Sequence, residues 1–230
     1  MGKNVLISSL GYAPGSVTGT VDAIKCFDGE EIHEVITIST SEPQIVNIAV
    51  RQILETEFKN TQYYPNGIEY SNVKINSRDI KKDEDNIQFL EKFVSLFREN
   101  IEDSEIDGIY ISLAGGRKTM ASLIFIGVKL IVDCYEDDEN SKDKFREITH
   151  LIVDDPDVER EGVIEYLKDA KGTEFYNKCM HPVSIIGKEK VKLIKLSGIF
   201  KNADELREEC KRLRNGEIDI NVLARYMINQ

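Results

Sequence analysis

The sequence predicts an α/β fold: a Rossmann-like, mostly parallel sheet with helices on both faces, followed by a short C-terminal helical extension. Three observations predict it. Short apolar runs alternate with longer stretches of helical apolar spacing, the pattern of right-handed strand–helix–strand crossovers and so of a parallel sheet. The first run, "NVLISSL" (4–10), is continuous rather than alternating, as in a strand covered on both faces. Two strand ends are rich in glycine, "SSLGYAPGSVTGT" (8–20) and "SLAGGRKTM" (112–120), where an open parallel sheet places its ligand.

The elements follow in order. After the first strand, residues 16–27 carry helical spacing, and "HEVITIS" (33–39) reads as the second strand. Residues 42–58 form a helix with Pro43 in its first turn, where the missing N–H is harmless. "YSNVKIN" (70–76) is a weaker third strand, and "DEDNIQFLEKFVSLFREN" (83–100) is an amphipathic helix with acidic residues at its start. "DGIYISL" (107–113) is the fourth strand, and 117–132 the next helix. Beyond it the reading is an acidic loop (133–144), a strand (147–155), a short helix (162–170) and a closing pair of strands (182–187 and 191–199). The tail contains "NADELREECKRLRNG", a helix ended by Gly216, and a second short helix. The expected division is one domain over 1–198 and a helical extension over 199–230.

Composition excludes several function classes. A net charge of −11 disfavours duplex DNA and anionic membrane, which need an extended basic surface. No apolar run approaches the roughly 20 residues of a membrane span, and the N-terminus lacks the form of a cleavable signal. Cys26, Cys134, Cys179 and Cys210 make no CxxC, and His33, His150 and His181 are scattered. The expectation is a cytoplasmic chain with reduced thiols, no metal and no cofactor.

The glycine-rich strand ends carry the chemistry. Glycine lets the backbone approach a ligand closely, and the helix that follows offers unpaired N–H groups and a positive dipole end. Arg117 and Lys118 stand at that end of the fourth crossover. Cations there are the wrong sign by roughly 0.3–1 kcal/mol per charge, which points to a bound anion. A P-loop is excluded because Arg117, not glycine, precedes Lys118, and the dinucleotide fingerprint because Gly11, Gly15 and Gly19 are spaced four apart. Gly115 and Gly116 also fit a plain tight turn, and Lys118 a solvated surface lysine.

Together, "LISSLGYAPGSVTGTVDAI" and "ISLAGGRKTMASL" resemble the CARF (CRISPR-associated Rossmann fold) family, over roughly residues 1–200. The resemblance implies a homodimer that binds a cyclic oligoadenylate, the tetra- or hexa-adenylate, across its two-fold axis. Among such proteins the ring nucleases cleave the ring without metal. A ribose 2′-OH attacks the adjacent phosphorus, leaving a 2′,3′-cyclic phosphate. A stand-alone member of that kind is the implied reading, and a non-catalytic sensor, or a regulator with a degenerate helix-turn-helix tail, is the alternative. The lysine of the GGRK-type motif faces the phosphates, so Lys118 is the implied catalytic residue, with Ser9 beside it. The implied ligand-binding set is Gly11, Tyr12, Ala13, Gly15, Ser39, Thr40, Ser112, Ala114, Gly115, Gly116, Arg117, Lys118 and Thr119. One departure stands out: ring nucleases often carry a hydroxyl just before the first loop's proline, where this chain has Ala13. Ser8, Ser9, Ser16 and Tyr12 are the nearest hydroxyls.

Other patterns read as ordinary. Arg146 and His150 are too closely spaced for a ribonuclease R-x(4–6)-H and lead into a strand. The E-x-K pairs Glu57–Lys59 and Glu209–Lys211 lie in helical text and read as helix-surface charges. Tyr63, Tyr64 and Tyr70 fit either an adenine stack or a half-buried loop cluster.

Overall fold

The computed structural model describes residues 2–196 apart from 42–43, 78–79, 117 and 136–137. Its centre is a six-stranded sheet: β1 (Lys3–Ser9), β2 (Glu34–Ser39), β3 (Glu69–Lys74), β4 (Ile106–Ser112), β5 (Phe145–Val153) and β6 (Val191–Lys195), in the order β3-β2-β1-β4-β5-β6. β1 to β5 are parallel, and β6 closes the edge antiparallel to β5. The mostly parallel α/β sheet is the one the alternating pattern predicts. Val5, Leu6 and Ile7 are all fully buried, so β1 is covered on both faces.

The crossover helices divide between those faces. α1 (Gly15–Asp28) and α2 (Gln44–Glu57) pack with Leu6, Val35 and Tyr110. α3 (Asp83–Glu102) and α4 (Lys118–Cys134) cover Val5, Ile7, Ile38, Ile109 and Ile111. Phe89, Phe93 and Phe97 recur at i, i+4, i+8 along α3, and all three are fully buried. α3 is also anchored at its start, where the Asp85 carboxylate accepts from the Lys81 and Lys82 amides and from the Ser77 hydroxyl.

Beyond α4 the structure corrects the sequence reading. Residues 133–144 are not one loop: α4 runs to Cys134, and α5 (Glu139–Lys144) follows, its first turn held by Asp138, which accepts from the Ser141 amide and hydroxyl. Residues 182–187 are not a strand. Pro182–Ile185 form α9, with α6 (Pro156–Glu161), α7 (Ile164–Leu167) and α8 (Glu174–Met180) before it. Pro182 occupies the first helical turn, where its absent N–H is no loss, and the Ile186 amide closes that turn on the Pro182 carbonyl. Two of these helices had readable signals. Asp155 caps α6 through the Asp157 and Val158 amides, with Pro156 next to it, and Thr173 caps α8 through the Tyr176 amide. The predicted helix over 162–170 shrinks to the single turn of α7. The tail assigned to 199–230 lies outside the described residues.

α8 and α9 brace α1. A Cβ on Gly15 would stand 2.0 Å from the Cys179 carbonyl oxygen, and one on Gly19 would stand 3.0 Å from the Pro182 ring. The neighbour at Gly15 is backbone and cannot rotate away. Gly15→Ala therefore loses about 1–3 kcal/mol or more, the range of an overpacked core, read as a lower urea midpoint with an unchanged slope.

Candidate functional site

β1 and β4 lie side by side at the sheet centre, yet the chain leaves β1 toward β2 and β4 toward β5. That divergence opens a crevice at the carboxyl ends of these strands. Register places Ser8 beside Ser112, so the two glycine-rich loops emerge level with each other.

The loops touch backbone to backbone. A Cβ on Gly11 would fall 2.6 Å from the Gly116 nitrogen, and one on Gly115 would fall 2.2 Å from the Ser9 carbonyl oxygen. Gly116 adopts φ +69°, the left-handed region that favours glycine. The Ser9 hydroxyl donates to the Gly115 carbonyl at 2.6 Å, joining the loops from beneath. Further hydroxyls floor the crevice: Ser112 and Thr20 oxygens stand 3.3 Å apart, and Thr149 donates to the Ile111 carbonyl. The first loop is pinned from beside as well, because the Ile164 amide of α7 donates to the Tyr12 carbonyl at 2.8 Å.

The residues named from sequence fall into two layers. Tyr12, Gly116, Lys118 and Thr119 are exposed at the mouth, with Gly11, Ala13 and Gly115 half-buried beside them. Ser9, Gly15, Ser39, Ser112 and Ala114 are buried below. Ser39 donates to the Asn72 amide oxygen, one strand away from the crevice, and Thr40 is half-buried. Arg117 lies outside the described residues. Lys118 opens α4, and neither α1 nor α4 has an acidic residue in its first turn, whereas α3 has Asp83, Glu84 and Asp85. The positive ends of α1 and α4 are thus left unneutralised beside the crevice, which favours an anion there. Ser8, Ser9 and Ser16 each direct their hydroxyl to a backbone carbonyl, while Tyr12 is 45% exposed.

A second polar cluster was missed. His181 is fully buried, with Nδ1 2.9 Å from Asp22 Oδ2 and Nε2 3.1 Å from Glu57 Oε2. Glu57 is only 3% exposed, so it is not the helix-surface charge that its E-x-K spacing suggested. Tyr176 and Asn60 also donate to Glu57, and Tyr64 donates to Asp22. The Tyr63 ring stacks on the imidazole at 3.4 Å, and the Tyr70 hydroxyl pairs with Thr37. Tyr63 and Tyr64 are thus a packed loop cluster around His181, while Tyr70 belongs to β3. Burial alone would lower the His181 pKa, but the hydrogen bonds to Asp22 and Glu57 outweigh it and raise it. Burial likewise works to raise Glu57, and the bonds from His181, Tyr176 and Asn60 outweigh it, holding its carboxyl below the usual range.

Fold and crevice define a class: a Rossmann-like domain of the CARF type, with a crevice at the β1/β4 switch point. The chain belongs to the family described as CRISPR-associated protein NE0113, whose model matches residues 13–212. Among solved structures it is similar to Csm6 of Enterococcus italicus bound to cyclic hexa-2′-fluoro-hexa-dAMP, with a TM-score of 0.55 and 13% identity. That match covers 94% of this chain and 48% of Csm6, so the chain spans about half the length of that protein. A UDP-N-acetylglucosamine 2-epimerase structure from Listeria monocytogenes matches at a TM-score of 0.38 and 10% identity, covering 74% of this chain and 38% of that one, too low to carry an argument. No curated protein matches the sequence. Among the described residues, no helix is long and apolar enough to cross a membrane.

The Ser9 tie gives a direct test. Ser9→Ala leaves the Gly115 carbonyl without its buried donor, and loses roughly 1–3 kcal/mol of stability, measured by chemical denaturation.

Proposed function

We propose that the chain is a cytoplasmic CRISPR-defence protein that binds a cyclic oligoadenylate in the β1/β4 crevice and cleaves it without metal. The observation that carries this reading is the pairing of two glycine loops across the switch point, beside a helix start that carries Lys118 and no acidic residue. Exposed amides and a cation suit a polyphosphate ring rather than a neutral ligand. The ligand in the Csm6 structure, a cyclic hexanucleotide analogue, supports the same substrate class.

The attacking group belongs to the substrate. Its ribose 2′-oxygen forms a bond to the adjacent phosphorus, the 5′-oxygen departs with a proton, and a 2′,3′-cyclic phosphate remains. Lys118 stabilises the charge that builds on the phosphoryl oxygens, and the loops hold the ribose in line. Ser9 serves the step by fixing the Gly115 carbonyl. Arg117, with Gly11, Tyr12, Ala13, Gly116 and Thr119, completes the binding surface, with Gly15, Ser39, Thr40, Ser112, Ala114 and Gly115 behind it.

A ring with two-fold symmetry needs two such crevices, so the functional unit is a homodimer. α4 supports this assignment. Ile126 and Leu130 are each 49% exposed, one turn apart on the helix that begins at Lys118, and Ser122 and Cys134 extend the stripe at the same spacing. Docking two copies along this stripe would pair the two α4 helices, each of which begins at Lys118.

A sensor that binds without cleaving is the second reading. It is favoured by Ala13 and by the engagement of the Ser8, Ser9 and Ser16 hydroxyls with backbone carbonyls.

Incubation with cyclic tetra- and hexa-adenylate in EDTA is expected to yield linear products by mass spectrometry. Lys118→Ala should slow this roughly 100-fold or more with an unchanged melting temperature. Intact ring recovered with tight binding would establish the sensor, and no binding of either ring would reject both readings. Leu130→Asp should convert a dimer to a monomer in sedimentation and abolish ring binding together with it.

A further inference from the structure

The His181 cluster stands apart from the crevice, yet its backbone reaches it. We infer that His181 is a positioning residue for the first glycine loop: it fixes the α8–α9 junction on which the N-terminal turn of α1 rests.

The argument begins with the ring. Both nitrogens of His181 face carboxylates, Asp22 at 2.9 Å and Glu57 at 3.1 Å. A neutral imidazole has one N–H and would set a lone pair against one of those carboxylates, so the arrangement calls for the doubly protonated cation. Tyr63, stacked at an interplanar angle of 9°, adds a π face to that cation. The groups facing the ring come from every element around it: Asp22 on α1, Glu57 on α2, Tyr63 and Tyr64 in the turn after α2, and Tyr176 on α8. One buried cation thus ties three segments that are distant in sequence: α1, α2 with the turn after it, and the α8–α9 junction.

The tie is transmitted by the backbone beside it. Immediately before His181, the Cys179 carbonyl lies against the bare Cα of Gly15, and the Met180 carbonyl accepts from the Thr18 hydroxyl. Immediately after it, the Pro182 ring lies against Gly19. Residues 179–182 therefore seat three positions on the first two turns of α1. Gly15 is the first residue of that helix, directly after the loop that runs Gly11–Tyr12–Ala13–Pro14. Where residues 179–182 sit, the loop follows. The small residues at Gly15 and Gly19 admit this seat, so their four-residue spacing has a packing cause.

The inference rests on the proposed function only for its ligand readout, so a second readout avoids ligand. Hydrogen exchange is measured at residues 11–19 in wild type, in His181→Asn and in the milder Tyr176→Phe, which removes one donor to Glu57. Phe97→Leu, in the core under the opposite face of the sheet, serves as a destabilised control remote from α1. Exchange at 11–19 is expected to quicken at least tenfold in His181→Asn, less in Tyr176→Phe, and not at all in Phe97→Leu. Affinity for the cyclic oligoadenylate should weaken in the same order. Equal quickening in the control, or none in His181→Asn, overturns the inference. If wild type binds no ring while the exchange pattern holds, the functional reading fails and the positioning role stands.

The pH profile adds a test of the cation itself. With its pKa raised above the ordinary 6.5, His181 contributes stability that is fully present below pH 6.5 and is lost as pH rises through the folded-state value. The melting temperature of wild type should fall along that limb, and His181→Asn should flatten it. An identical limb in both proteins overturns the cationic clamp.

Discussion

The structure depends on the backbone contact between two loops at the centre of the sheet. Gly11 meets Gly116, and Gly115 meets Ser9, at distances no side chain permits. That contact decides where β1 and β4 end, aims the starts of α1 and α4, and brings bare peptide groups to the crevice mouth beside the Tyr12, Lys118 and Thr119 side chains. The Ser9–Gly115 hydrogen bond holds it from below and the α7 amide on Tyr12 from beside. A crevice made this way is pre-formed. A ligand entering it need not order the loops, and less of its binding free energy is lost to that ordering.

The electrostatics follow from the same construction. The chain carries a net charge of −11, which would repel a polyanion if it were evenly spread. Acidic residues crowd the start of α3 and are absent from the first turns of α1 and α4. Local potential at a helix start is set by the nearest turn, because its dipole acts over that range and surface charges beyond about 8–10 Å are screened by salt. An acidic protein can therefore hold an anion at one place and reject extended nucleic acid elsewhere, which is the selectivity that the proposed cyclic ligand requires.

The fold through α4 was legible in the sequence because each element there announces itself with a period. β1, β2 and β4 are apolar runs, and α3 repeats phenylalanine every four residues. The motif residues were legible for a different reason: glycine pairs and adjacent cations are rare at a strand-to-helix junction. After α4 the helices are one or two turns long, and four to seven residues give no period to read. "PVSIIG" contains enough β-branched residues to pass for a strand; the Ile185 and Ile186 amides returning to His181 and Pro182, with Pro182 and Val183 buried against exposed Ser184 and Ile185, make it a helical turn. His181 escaped for the same kind of reason. Asp22, Glu57 and His181 are far apart in the chain, and nothing local marks them as partners. The one hint was that Glu57 closes an apolar helical face, immediately before Phe58.

The two sites differ in how they handle charge, and the difference explains why they must be separate. At the crevice, the positive starts of α1 and α4 have no acidic residue in their first turns, so they stay open to the ligand we propose. In the His181 cluster, one cation and two carboxylates are sealed together, and each carboxylate receives a further tyrosine hydroxyl. Breaking a buried pair by removing one member leaves an uncompensated charge, which costs about 3–5 kcal/mol. A group under that constraint cannot exchange partners with a ligand, so it serves as a fixed point. The open charges need such a fixed point, because amides aimed at a phosphate act only if the helix carrying them does not tilt. The seat of residues 179–182 under Gly15 joins the two, and through it the buried ion cluster fixes the aim of the helix start beside the crevice.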